Sequence, residues 1–248
     1  MQNSLFQEML GNDIAIDTNV DVVFVIDATE SMQPLLDKVK SLTLSFRDEL
    51  ERGLEKNKRK LNQLRTKVIV FRDFYVDDRY ALEESQFFNL PEDKSRFHSY
   101  VSDIKAGGGG DEPESGLEAL AVAMRSDFVK TGDKKRHIIV LFTDASAHKL
   151  EQQKDGVPFN YPRNMYKNLG ELYQVWGTGQ EMLGSASGSE QKMMKEAKRL
   201  VLFAPSVYPW NEIELDLENV IRKDMSKGEG GQDLDLDDVI ALVSNSIA

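Results

Sequence analysis

None of the 248 residues is a cysteine. Disulfide staples, thiolate zinc sites and a cysteine nucleophile are therefore excluded. Long apolar runs are missing as well. Runs such as 22–26 and 138–142 fall far short of the ~20 residues needed to span a bilayer. The opening residues, MQNSLFQEMLGND, have neither a basic start nor a continuous apolar stretch. No secretory signal is expected from them, and a cytoplasmic setting is the default expectation. Basic charge is in deficit, with 31 Lys+Arg against 42 Asp+Glu and a net charge of −11. A nucleic-acid binder needs a basic face to displace counterions, so neither nucleic acid nor a membrane is the expected partner. No G-x-x-x-x-G-K-[ST] follows the glycines at 107–110, and no G-x-S-x-G elbow occurs. Around Asp233–Asp238 the central glycine and distal glutamate of a calcium loop are lacking. No repeat of fixed period is present.

What remains is an ordinary globular composition, 40% apolar and 29% charged, at a length suited to one large α/β domain. Two continuous apolar runs, DVVFVID (21–27) and HIIVLFTD (137–144), read as strands buried on both faces. RTKVIVFRDFY (65–75), SQFFNL (85–90) and LVLFAPSV (200–207) read as further strands. Apolar residues at helical spacing predict helices over about 32–60, 91–106, 113–124, 164–176 and 190–199. A terminal helix follows the glycines near 231, capped by an Asp within Asp235–Asp238. Buried strands alternating with amphipathic helices give a three-layer, doubly wound α/β fold, Rossmann-like, with a mostly parallel sheet covered on both faces. Ligands of such sheets sit beyond the carboxyl ends of the strands.

Those ends carry a consistent chemistry. Asp27, Thr29 and Ser31 stand at spacing two directly after the first buried strand, and Asp144 directly follows the second. Asp111 closes the four-glycine run and precedes a helix, where it either approaches the same site or caps that helix. Three carboxylates and two hydroxyls are hard oxygen donors, suited to Mg²⁺, Mn²⁺ or Ca²⁺ and not to zinc or copper. Asp73, in FRDF, is expected to pair with a basic group or brace the site. His148 is expected to be a hydrogen-bonded loop residue, with a general base as the alternative. His98 and His137 read as structural or surface residues. The basic run from Arg52 to Lys67 reads as a solvated face at a helix C-terminus. Tyr161, Tyr166, Tyr173 and Trp176 suit either core packing or a partner surface.

The set D-x-T-x-S (27–31), GGGGDEPES (107–115) and TDASAH (143–148) resembles the von Willebrand factor A domains with their metal-ion-dependent adhesion site. FRDF strengthens the likeness to an intracellular subgroup that includes domains beside α-kinases. The resemblance spans roughly residues 20–207. It implies metal ligation by Asp27, Thr29, Ser31, Asp111 and Asp144, with Mg²⁺ the first candidate ion. It also implies a non-enzymatic module that docks a protein partner at this edge within an intracellular multiprotein or signalling assembly. The implied division is an N-terminal extension over 1–19, the A domain over 20–223 with an insertion at about 145–190, and a tail over 224–248 whose helix packs on the domain. Two positions depart from the family pattern. Glu30 replaces the usual glycine, straining the turn if φ is positive there. Asp111 replaces the usual threonine, giving three carboxylates around a divalent ion and a formal charge of −1. Such a site holds its cation firmly and attracts an acidic group weakly, so a structural ion or a neutral or basic partner group is expected. A metal-dependent phosphatase or other hydrolase using Asp27 is the alternative, but Thr29 stands where its second Asp belongs. A degenerate, metal-free scaffold is the third reading.

Overall fold

The computed structural model describes residues 17–56, 60–110, 112–158, 160–177 and 193–247. β1 (Asp17–Asp27) leads through a 3-10 turn (Glu30–Met32) into α1 (Gln33–Lys56) and then β2 (Lys60–Phe71). Two three-residue strands, β3 (Leu82–Glu84) and β4 (Phe88–Leu90), precede α2 (Lys94–Asp103) and α3 (Gly116–Met124). After β5 (Lys134–Phe142) come a 3-10 turn (Leu150–Asp155), α4 (Leu169–Trp176), β6 (Lys198–Ala204), α5 (Trp210–Asp216), β7 (Val220–Asp224) and α6 (Leu236–Ile247).

The seven strands make one sheet in the order β3-β2-β1-β5-β6-β7, with β4 also paired to β2. The five strands from β2 to β7 run parallel, and only β3 and β4 are antiparallel. Alternation along each strand divides the core. Val22, Phe24 and Ile26 join α1, α2 and α6 on one face. Val23 and Val25 join α3, α4 and α5 on the other. A strand covered on both faces has no polar side to show, which is why β1 and β5 read as unbroken apolar runs. The helix after β1 covers one face and the helix before β5 the other. The β1/β5 junction is therefore a topological switch point, where a crevice opens at the strand ends.

Several expected elements are corrected. β1 begins three residues inside the expected N-terminal extension, and β2 begins at Lys60, five residues before the strand expected over 65–75. Within the basic run, Arg65 grips Asp21 at 2.5 Å and Lys67 grips Glu84 at 2.7 Å, so these two cations face partners rather than solvent. SQFFNL divides because Ser85 is spent on β2: Val68 N–H donates to its hydroxyl at 2.9 Å, and its own N–H donates to the Val68 carbonyl. The helix expected over 190–199 does not form in its described part. Residues 194–197 close a single turn, and Lys198 and Arg199 already pair with β5. Residues 190–192 of that expected helix lie outside the described residues. α5 and β7 were not expected. β7 is a five-residue edge strand of mixed burial, too short to show a period. α6 is capped as expected, with Asp237 N–H donating to Asp235 Oδ1 at 2.9 Å. Its Val239, Val243 and Ile247 are buried in the α1 face of the core.

Candidate functional site

Parallel register brings the site together. Ile26 lies opposite Phe142 and Asp27 opposite Phe71. The next residue on β5, Thr143, therefore flanks Asp27, while Arg72 follows Phe71 beside Ala28. Thr143 donates to Asp27 Oδ2 at 2.7 Å. Asp27 Oδ1 accepts from the Thr29 hydroxyl at 2.7 Å and the Thr29 N–H at 3.0 Å, an Asx turn that sets the entry to α1. Thr29 Oγ1 lies 3.4 Å from Ser31 Oγ, and Ser31 donates to Asp144 Oδ1 at 3.2 Å. Thr143, Asp27, Thr29, Ser31 and Asp144 thus form one continuous chain of oxygens across the switch point. Four of the five residues expected from sequence are brought together. The fifth, Asp111, lies outside the described residues.

Glu30 is exposed, and its N–H donates to the Gly108 carbonyl at 3.3 Å. Its φ is not positive, so the strain expected of a bulky residue there does not arise. The glycine loop is no phosphate cradle. It leans onto the first loop, with Gly107 N–H donating to the Ala28 carbonyl at 3.0 Å. Gly109 (φ +73°) sits where a Cβ would stand 2.7 Å from Thr29 Cγ2 and 2.9 Å from Glu114 Oε1. Arg72 braces the loop by donating to the carbonyls of Gly107, Lys105 and Tyr80 at 2.7–2.8 Å.

Two residues escaped the sequence reading. Thr143 was passed over as the strand's last residue, though a hydroxyl beside the Asp was the available signal. Glu114 is 4% exposed, its Oε2 has no hydrogen-bond partner, and its Oε1 faces Thr29 across Gly109. Burial pushes its pKa up to about 9, aided by the charges of Asp27, Asp73, Asp77 and Asp144. Asp27, wholly buried, is pushed up to about 6 by burial and by Asp144, against the hydrogen bonds from Thr29 and Thr143. Carboxylates crowded together with their charge uncompensated are what a hard cation relieves. Among the described residues, no three His, Asp or Glu side chains alone enclose an ion. The oxygen set is completed by hydroxyls, and its chemistry fits a hard divalent ion.

Behind the site, Asp73 Oδ1 accepts from Tyr75 N–H at 2.9 Å and Ser115 Oγ at 3.3 Å, and lies 3.2 Å from His148 Nε2. His148 is also hydrogen-bonded through Nδ1 to Gln152 at 2.8 Å and packs edge-on against Tyr75. Burial lowers the His148 pKa, but Asp73, Gln152 and Glu118 outweigh it and hold the ring above its usual value. Tyr161, Tyr166, Tyr173 and Trp176 pack in or against the core cluster under α3 and α4. His137 is buried and stacked on Phe128.

A parallel α/β sheet with a hydroxyl-and-carboxylate cluster at its switch point defines a class of domain, and the sequence comparison names it. Residues 21–158 match the profile of the von Willebrand factor A domain, and the chain belongs to that family. Domains of this family are generally non-enzymatic protein-interaction modules, and they commonly bind a divalent metal at an adhesion site. Over 132 residues the chain is 26% identical to the alpha-protein kinase vwkA of Dictyostelium discoideum, covering 53% of this chain and 19% of the kinase. Among solved structures, the pilus adhesin SpaC of Lactobacillus rhamnosus GG superposes over 93% of this chain and 30% of its own, with a TM-score of 0.48 and 11% identity. Proximal thread matrix protein 1 from the mussel byssus covers 93% of this chain and 49% of its own, with a TM-score of 0.47 and 14% identity. No described helix is long and apolar enough to cross a membrane.

Proposed function

We propose that this chain binds a divalent cation, Mg²⁺ first among candidates, with Mn²⁺ and Ca²⁺ as alternatives, and docks a protein partner at the rim that holds it. The observation that carries the reading is the oxygen chain Thr143–Asp27–Thr29–Ser31–Asp144, closed by contacts of 2.7–3.4 Å. Asp27, Thr29, Ser31 and Asp144 would hold the ion, with Asp111 and Glu114 completing the set. The ion supplies a fixed positive charge with room for an oxygen of the partner. The surrounding carboxylates, together with exposed Glu30, favour a neutral or basic partner group over an acidic one. The role is non-enzymatic. Thr29 is a hydroxyl bonded to Asp27, not the second acid that a phosphatase of the alternative kind requires. A cytoplasmic, signalling context draws its support from the likeness to an alpha-protein kinase.

The test is thermal unfolding of the wild type and Asp27→Ala with and without Mg²⁺, Mn²⁺ and Ca²⁺. An ion present at 100 times its Kd adds about 2.7 kcal/mol of stability. The gain is expected in the wild type and absent in the variant. No gain from any of the three ions in the wild type refutes the reading.

A further inference from the structure

β7 and α6 are joined by SKGEGGQD (226–233), a segment outside the 21–158 family match. It runs back across the rim of the cation site. Gly228 N–H donates to the Asp144 carbonyl at 3.0 Å, and Gly230 N–H donates to Asp144 Oδ2 at 2.7 Å in a buried bond. The Gly230 carbonyl accepts from Leu35 N–H at 3.1 Å, fastening the segment to the first turn of α1. Lys227 pairs with Glu112 at 2.6 Å. Lys38 reaches up from α1 and donates to the carbonyls of Gly231, Gln232 and Leu234 at 3.3, 2.6 and 2.7 Å. Position 230 tolerates only glycine. Its φ is +64°, and a Cβ there would stand 1.9 Å from the Ser31 carbonyl oxygen.

A carboxylate beside a cation has two oxygens, and whatever binds one decides how the other is presented. Here Gly230 takes Oδ2, which leaves Oδ1 turned to Ser31 at 3.2 Å. We infer that residues 226–231 are a positioning strap for the cation site, in which the Gly230 amide orients the Asp144 carboxylate and Lys38 clamps the strap in place. The inference rests on the cation reading above. It makes the site a composite of two stretches of chain some eighty residues apart, so the matched segment alone lacks a working part. It also makes the strap a control point, because whatever draws it off Asp144 weakens the ion, and the bound ion holds the strap down by the same factor.

The experiment measures Mn²⁺ affinity and cooperative thermal unfolding for the wild type, Gly230→Ala, Gly156→Ala and Lys38→Met. Gly156, just after the Leu150–Asp155 turn and outside the strap, has φ +119° with nothing within 4 Å of its Cβ position. Its alanine variant therefore carries backbone strain without touching the strap or the site. Loss of an orienting partner weakens metal affinity about 10–100-fold. That loss is expected in Gly230→Ala and, in the same direction, in Lys38→Met, while Gly156→Ala stays close to the wild type. If Gly230→Ala does not fold, Lys38→Met decides. Wild-type affinity in folded Lys38→Met and Gly230→Ala overturns the strap and leaves the cation site standing. Equal losses in Gly156→Ala and Gly230→Ala overturn it too, because strain alone would then explain both. A wild type that takes up no Mn²⁺ refutes the cation reading, and the strap inference falls with it.

Discussion

Replacing Glu114 by Gln tests the electrostatics of the site most sharply. The side chain is buried with one oxygen unpartnered, and its pKa stands at about 9 against an ordinary 4.5. A carboxyl group whose pKa is raised by folding contributes stability in its protonated form. That contribution is complete below pH 4.5 and is lost as pH climbs towards 9. At pH 7 the unfolded chain has already released the proton and the folded one has not, a difference of about 3 kcal/mol. Solvent screening near the open rim reduces this to about 2 kcal/mol. Glutamine avoids the loss. In the absence of divalent ions Glu114→Gln is therefore expected to melt about 4–8 °C above the wild type at pH 7. The two should converge near pH 4. Saturating Mn²⁺ should reverse the order, because the wild type gains a charge partner and the variant has one fewer oxygen to offer it. The assay is calorimetric unfolding at pH 4, 7 and 8.5, with chelator and with Mn²⁺. A variant less stable than the wild type in chelator at pH 8.5, or one that gains as much from Mn²⁺, would refute the reasoning.

Other outcomes follow from the packing. Trp210 is fully buried and donates to the Ala145 carbonyl at 2.8 Å, tethering the segment after β5. Trp210→Phe should cost about 1–3 kcal/mol by stranding that carbonyl, measurable by urea unfolding, and no loss would show that water reaches it. His148→Gln should flatten the pH dependence of stability. The wild-type ring has a raised pKa, so its contribution is present below pH 6.5 and lost as pH rises above that value. Parallel wild-type and variant melting curves from pH 5.5 to 8.5 would contradict the Asp73 pairing. Ending the chain after Gly231 removes α6 and the burial of Val239, Val243 and Ile247. That burial contributes roughly 5–9 kcal/mol before the entropy of ordering the helix is set against it. A marked fall in melting temperature is expected, and an unchanged one would show that α6 adds nothing.

Much of this architecture was legible before any coordinates, for a reason that differs from element to element. β1 and β5 announced themselves because both of their faces are covered, and the motif residues Asp27 and Asp144 are adjacent in chain to those runs. The metal-ligand candidates could be named because local spacing alone puts Asp27, Thr29 and Ser31 on one turn. Glu114 could not be named in the same way. It lies in a stretch already marked by glycines, and its importance comes from who surrounds it: Asp27, Asp73, Asp77 and Asp144, contributed by three other segments. The basic run misled because Arg65 and Lys67 look solvated until pairing with Asp21 and Glu84 is seen. The helix expected over 190–199 fails in its described part because Lys198 and Arg199 pair with β5, which outweighs a helical spacing of apolar residues.

The sequence by itself determined the fold class, the identity of the buried strands and the hard-oxygen character of the site. Each of these is carried by hydrophobic period or by residues a few positions apart. Tertiary structure alone decided which carboxylates meet, which are left without a partner and what holds them. Asp27 receives Thr143 only because β1 and β5 run in parallel register. Asp144 receives Gly230 only because the chain, after completing the sheet, returns across its edge. Contacts between residues about a hundred positions apart leave no periodic trace in the sequence, since loop closure and sheet topology, not local propensity, bring them together.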